Sequence, residues 1–459
     1  MRVSGSSLLL RIALFVAAGG CSLVVSAEAQ TFTTLATFDY TNGARPLGTL
    51  AQGTDGNFYG TTMSGGADSG GEIFAVTADG GLAIPYSFCS LPGCPTGSSP
   101  MAGLTLGADG YFYGTASPGN VFKFSPDGTL TTLYDGGSAS GALTLGRIGS
   151  FYGTTDFGGT NSRGDIFEVT SAGAYKVLYN FCSRQACADG STPFTPPIQG
   201  SDGNLYGTTY YGGSKGVGVV YELKSSGQYK VLYNFCSQPA CLDGSYPKSL
   251  VQDSSGNLFG TTTSGGRGSA ALGTVYKITP SRQYSVLYNF NVFDAESPST
   301  PILASDGNLY GTTGGGNPII FEVTPEGVFT LLYHFSNRRT STGIGQQGLL
   351  QGTDGTFYGT TAYGDSTVGD GNVFSFSNNL KPLVETVPTM GKVGTRVIIL
   401  GNNLTGSSSV AFNGVPASFT VESDTYIKAT VPTGATTGTV SVVTPAGTLK
   451  SNPQFVVTK

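Results

Sequence analysis

Six cysteines stand in three pairs of identical spacing: Cys89 and Cys94, Cys182 and Cys187, Cys236 and Cys241. Such a pair can oxidise to a local disulfide or lend two ligands to a metal. Two cysteines do not complete a tetrahedral zinc site, and no histidine lies near any pair. In an oxidising compartment a close pair is most simply a disulfide. Each pair occupies the same place in a sequence repeat, so pairing within each loop is expected. The only histidine, His334, fills the slot that Asn180, Asn234 and Asn289 hold in sister segments. It reads as a repeat variant, and a lone histidine supports no Ser-His-Asp set. The Asp-Gly pairs at Asp55, Asp109, Asp202, Asp306 and Asp354 offer one carboxylate each. Calcium requires several oxygens converging in one loop, so these pairs read as turns. Asp68, Asp156, Asp365 and Asp370 fall in loops and do not recur at one repeat position. Two of them placed across a ring would suffice for general acid/base work. That is the route to an exported carbohydrate-active hydrolase or lyase, the alternative to a binding protein. No metal and no cofactor are expected.

The elements that must position these residues follow from a repeat. A Tyr-Gly pair returns with its glycine at Gly60, Gly114, Gly153, Gly207, Gly260, Gly311 and Gly359, with Phe259 replacing the tyrosine once. The spacings are 54, 39, 54, 53, 51 and 48 residues, the period of propeller blades rather than of helical arrays. In the unit around Gly207, Pro197 to Gly200 is a short apolar run and Ser201 to Asn204 a tight turn. Leu205 to Tyr210, Gly218 to Lys224 and Tyr229 to Phe235 then read as strands two to four. Four short antiparallel strands per unit make a blade.

The third strand recurs seven times, from Ile73-Phe74 to Val373-Phe374, but the fourth only six times inside the array. The seventh copy stands at the N-terminus as Phe32 to Phe38. A displaced strand of this kind closes a ring and removes two open sheet edges. The fold class expected is all-β: a seven-bladed β-propeller followed by an immunoglobulin-like β-sandwich.

Several runs carry a resemblance. They are Asp202-Gly203-Asn204-Leu205-Tyr206-Gly207-Thr208-Thr209, Gly212-Gly213, Gly218 to Leu223, Gly227 and Val231 to Phe235. In that order they resemble the bacterial GloVer repeat of choice-of-anchor tandem repeat proteins. The resemblance implies a propeller-like fold and a secreted or surface location, and it brings no common catalytic residues. Beyond Phe376 the composition shifts. Gly394 to Leu404, Val410 to Gly414, Ile427 to Pro432 and Thr439 to Thr444 are short strands separated by Gly, Pro and Asn turns. The segment from 382 to 459 resembles an IPT/TIG domain, which implies an immunoglobulin-like fold and no particular activity.

Residues 1–29 read as a secretory signal with cleavage between Ala29 and Gln30, residues 30–380 as the propeller and 381–459 as the sandwich. A retained membrane anchor and a lipoprotein signal ending at Cys21 are the competing readings of the leader. No later stretch is apolar and long enough to span a bilayer, and no hydrophobic tail or sorting motif follows Val457. Free secretion or non-covalent surface attachment is expected. Only 11% of residues are charged, the net charge is −5, and no basic stripe runs along the sequence, which argues against nucleic acid. In propellers, loops between strands two and three share a face with the links between blades. That places Phe157, Tyr210, Tyr211, Tyr363 and the three cysteine loops on one side. Aromatic rings on a concave face suit a glycan or protein ligand; packing between blades is the other reading for any one of them. The expectation is a secreted or surface-associated binding protein.

Overall fold

The computed structural model describes residues 30–458 apart from 137–138, 140, 148, 269–270, 295, 316–317, 336–347 and 364–368. The expected leader, with Cys21 and Ala29, lies outside the described residues, as does Asp365. The described chain is almost wholly β, with helical character confined to the 3-10 turns Gln185–Cys187 and Pro239–Cys241.

The sheet around Gly207 shows how the repeat folds. Ile198–Gln199, Leu205–Thr209, Val219–Leu223 and Tyr229–Asn234 pair antiparallel in that order. Gly207 lies directly opposite Tyr221, and a Cβ there would come 2.3 Å from the Tyr221 hydroxyl. Gly60 stands so to Phe74, and Gly153 to Phe167, at 2.5 and 2.3 Å. A glycine inside a strand therefore marks a close approach: the aromatic ring of the third strand lies across the bare backbone of the second. The Asp-Gly turn is tied to the same hairpin. The Tyr206 hydroxyl donates to the Asp202 carboxylate at 2.7 Å, which also accepts the Asn204 backbone N–H at 3.1 Å. Tyr59, Tyr113, Tyr310 and Tyr358 donate in the same way to Asp55, Asp109, Asp306 and Asp354. These carboxylates are turn acceptors.

Seven such sheets precede residue 380 among the described residues, six of four strands and one in which Glu296–Pro298 pairs as a fifth. Neighbouring sheets are tied by the first threonine after the Tyr-Gly pair. Thr61 donates to the Ala102 carbonyl at 2.8 Å, Thr208 to Lys248 at 3.0 Å and Thr261 to Ser299 at 2.9 Å. Thr360 donates to the Gly48 carbonyl at 3.3 Å, joining the last sheet to the first. The ring is thus closed, and Phe58 stacks on Tyr358 across the same junction at 3.7 Å.

The last sheet takes its fourth strand from the N-terminus. Thr31–Thr37 pairs with Asn372–Ser377, and Phe38 N–H donates to the Gly371 carbonyl as Phe235 does to Gly218. Phe32 stacks on Tyr333 at 4.3 Å, the contact that Tyr229 makes with Tyr179 and Tyr284 with Tyr233. The displaced strand therefore reproduces its sisters ring by ring.

Beyond residue 380, two four-stranded sheets and a short parallel pair enclose a separate core that includes Val397, Ile399, Phe412, Ile427 and Val442. The opposite side of the strands Glu385–Val387 and Arg396–Leu400 packs on the propeller. Val387, Ile398 and Leu400 share a cluster with Tyr59, Leu106 and Phe112. Thr425 donates to the Thr54 carbonyl at 2.6 Å, Asn402 to the Thr353 hydroxyl at 3.0 Å and Asn452 to the Leu303 carbonyl at 3.1 Å. Thr54 and Thr353 belong to turns between first and second strands. The sandwich thus sits on the propeller face that carries those turns.

Candidate functional site

The other face is built from the loops between second and third strands and from the links that follow the fourth strands. Each link begins with a cysteine loop where one is present. Cys89 bonds to Cys94, Cys182 to Cys187 and Cys236 to Cys241, as the repeat led us to expect. A buried carboxylate organises two of these loops. Asp189 accepts the Tyr179 hydroxyl at 2.7 Å, the Ser183 hydroxyl at 2.7 Å and the backbone N–H groups of Ser183 and Arg184. Asp243 does the same for Tyr233, Ser237 and Gln238. Burial opposes ionisation of Asp189, but these donors prevail and hold its carboxyl below the usual range. The link then pairs with the loop before the third strand. Gly213 N–H donates to the Cys187 carbonyl at 2.9 Å, and Ser191 and Tyr211 exchange backbone hydrogen bonds.

This pairing brings four rings together. Tyr210 stacks on Tyr246 at 4.9 Å and meets Phe194 edge-on at 5.1 Å, while Tyr211 stands edge-on to Tyr210 at 4.9 Å and to Tyr246 at 5.8 Å. The group bridges two neighbouring sheets, since Tyr246 belongs to the strand Ser245–Gln252 of the next one, and with Phe194 and Tyr211 43% and 45% exposed it also presents an open aromatic surface. Phe157, 67% exposed, lines a separate hollow with Met101, Pro118 and Asp156. Tyr363 is half-buried, with the Arg45 guanidinium 5.5 Å from its ring centre. Of the four aromatics singled out in the sequence, the structure thus joins Tyr210 and Tyr211 and leaves Phe157 and Tyr363 at other points of the ring.

Phe194, Tyr246 and Met101 were missed. A signal for two of them exists: Met101 and Phe194, like Leu47 and Lys248, directly follow the repeated proline of the link. That slot changes from unit to unit while the proline before it does not. Asp68, Asp156 and Asp370 belong to three different sheets. No group of three or more His, Cys, Asp or Glu able to hold a metal occurs among the described residues. His334 pairs with Ile319 as Asn180 does with Asp165. In the sister strands that asparagine accepts a backbone N–H from the adjoining loop, Thr160 for Asn180 and Ser214 for Asn234. The slot is a loop anchor.

The sequence profile of the Gloeobacter/Verrucomicrobia repeat matches residues 17–198, 97–269 and 197–409 in overlapping segments. The chain belongs to this repeat family. An IPT/TIG domain matches residues 383–457. No curated protein matches the chain. Among solved structures, the chain is similar to one described as the extracellular domain of a hybrid two component system from B. thetaiotaomicron. That similarity is at 11% identity and a TM-score of 0.50, over 93% of this chain and 56% of the other. It is also similar to the PQQ-bound aldose sugar dehydrogenase of Streptomyces coelicolor, at 14% identity and a TM-score of 0.43, over 76% and 98% of the two chains. A structure of YCF48 bound to D1 peptide aligns at 10% identity and a TM-score of 0.46, over 77% and 99%. At 11% identity the first of these speaks to fold alone. Repeat members with an IPT/TIG domain fit a binding role, and no helix among the described residues is long and apolar enough to cross a membrane.

Proposed function

We propose that this chain is an extracellular binding protein whose exposed aromatic face recognises a glycan. The observation that carries the reading is the open cluster of Phe194, Tyr210, Tyr211 and Tyr246 on the face opposite the sandwich. Rings that expose a face and an edge together offer both a stacking plane and hydroxyl donors, which suits the apolar face and rim hydroxyls of a sugar. Three disulfides and the low density of charge agree with an oxidising exterior. The sandwich, docked on the other face, leaves the aromatic surface open and serves as spacer.

The test is binding of the secreted chain, residues 30–459, to an array of bacterial and plant glycans, followed by analysis of the bound sugars. Intact glycan is expected to be retained, with affinity falling about tenfold in Tyr211→Ala. Silence of the array, with capture of a defined protein that Tyr211→Ala abolishes, would transfer the face to a protein ligand. Shortened or unsaturated sugars would assign a hydrolase or lyase instead.

A further inference from the structure

The sandwich does not seal the face on which it sits. Between it and the propeller lies a cleft of about 960 Å³, the size of pockets that hold small ligands. The propeller contributes Arg147, Lys176 and Lys224, the sandwich Lys392 and Arg396, and Glu168 is the one carboxylate in the lining. Glu168 stands directly across the strand pair from Lys176, so the rest of the lining is cationic without opposition. This concentration stands out in a chain whose net charge is −5 and of whose residues only 11% are charged. Among the described residues, ion pairs join Lys123 to Asp109 and Lys428 to Glu422; none of the five cations takes part in either.

The cleft is also shaped. Gly203, at φ +85°, leaves the space that the Arg147 guanidinium fills, and a Cβ there would overlap it. The Arg147 backbone N–H is held by Gln199 at 3.0 Å. Arg147 is thereby fixed at the cleft wall rather than free on the surface. Between the cations stand neutral hydroxyl groups: Ser225, Ser226 and Thr395.

We propose that this cleft is a second binding site, for a polysaccharide of hexuronate units. Arginine forks take a carboxylate through two parallel hydrogen bonds, and the neutral hydroxyls match the ring hydroxyls of the same sugar. A bare inorganic anion would leave the neutral groups without partners. The site draws one wall from each structural unit, so a bound chain bridges them and holds the sandwich in place. It lies on the face away from the aromatic cluster and does not depend on that cluster's role. Because Lys176, Lys224, Lys392 and Arg396 are exposed, salt screens the attraction.

The experiment measures binding of the full secreted chain to oligogalacturonate, to a neutral oligogalactose of equal length and to polyphosphate, across a salt series. Oligogalacturonate is expected to bind and to weaken with salt, the neutral oligomer not to bind. Losing one charge-assisted contact lowers affinity roughly tenfold. That loss is expected in Arg396→Gln on the sandwich and separately in Lys224→Gln on the propeller, each with an unchanged melting temperature. Tyr211→Ala is expected to leave this binding intact, which separates its failure from failure of the aromatic site. Absence of oligogalacturonate binding, or binding that both charge variants leave unchanged, would overturn the proposal. Equal binding of polyphosphate with the same losses would overturn the uronate assignment and leave an unspecific anion site.

Discussion

At the scale of single residues, the carboxylates that recur with the repeat are structural acceptors. Asp202 and its repeats hold a turn and a tyrosine, and Asp189 and Asp243 hold cysteine loops. Asp165 differs. It is buried, 3% exposed, and its Oδ1 finds no hydrogen-bond partner. Burial pushes its carboxyl up to about 6. A carboxyl raised in the folded state binds its proton more tightly there than in the unfolded chain. The stability this brings is therefore complete below the unfolded value of about 4 and is lost as pH rises to about 6, after which it stays flat. Asp165→Asn is expected to remove that slope and to gain roughly 2 kcal/mol above pH 7. Denaturant unfolding of both proteins at pH 4.0 and 7.5 checks this; an identical pH slope in the two would refute it. Nothing in the sequence flagged Asp165, because its slot holds Glu72, Thr274 and Asn372 in other units, and exposure is not written in residue type.

At the scale of elements, the sequence was most legible where repetition supplied a comparison. The Tyr-Gly glycine, the aromatic opposite it and the missing fourth strand could all be read by aligning the chain with itself. Their physical reasons could not: that the glycine makes room for a ring needed the register of Gly207 against Tyr221. The local disulfides were likewise legible from spacing, whereas the aromatic cluster was only half so. Tyr210 and Tyr211 are adjacent in the chain, but Phe194 and Tyr246 reach them through links whose course depends on backbone pairing between loops. The closing strand offers a test at this scale. Phe32 stacks on Tyr333 at 4.3 Å and meets Phe335 at 5.4 Å, and it is only partly buried. Phe32→Ala is expected to destabilise the propeller by roughly 2 kcal/mol, less than a fully buried phenylalanine would cost. Released from its neighbours, the strand would leave Asn372–Ser377 as an open edge. The measurement is chemical unfolding together with light scattering near the transition. An unchanged midpoint would mean that backbone pairing alone holds the strand.

At the scale of the whole molecule, two cores meet through one sheet of the sandwich. Its strands alternate: Val397 and Ile399 face inward, while Ile398 and Leu400 face the propeller. The sequence showed both units but not this contact, since an alternating strand with apolar residues on both faces can pack against any second surface. Glu385 lies on the same side of its strand as Val387, toward the propeller, and desolvation there pushes its carboxyl up to about 7. The sign follows that of Asp165. The contribution to docking is full below the unfolded value of about 4.5, declines as pH rises toward 7 and is constant above. Docking is therefore expected to be firmer at pH 5 than at pH 8, and Glu385→Gln to keep the firmer state throughout. Hydrogen exchange of the amides in Glu385–Val387 and Arg396–Leu400, corrected for the intrinsic rate, reads the interface directly. Protection should fall between pH 5 and 8 in the parent and stay level in the variant. An equal fall in both would show that the interface does not sense this carboxyl. Because the cationic cleft takes Lys392 and Arg396 from the same side of the same unit, looser docking at high pH would also widen that cleft. Binding in the cleft should then weaken with pH in the parent and not in Glu385→Gln, which ties the association of the two units to the second site that they form between them.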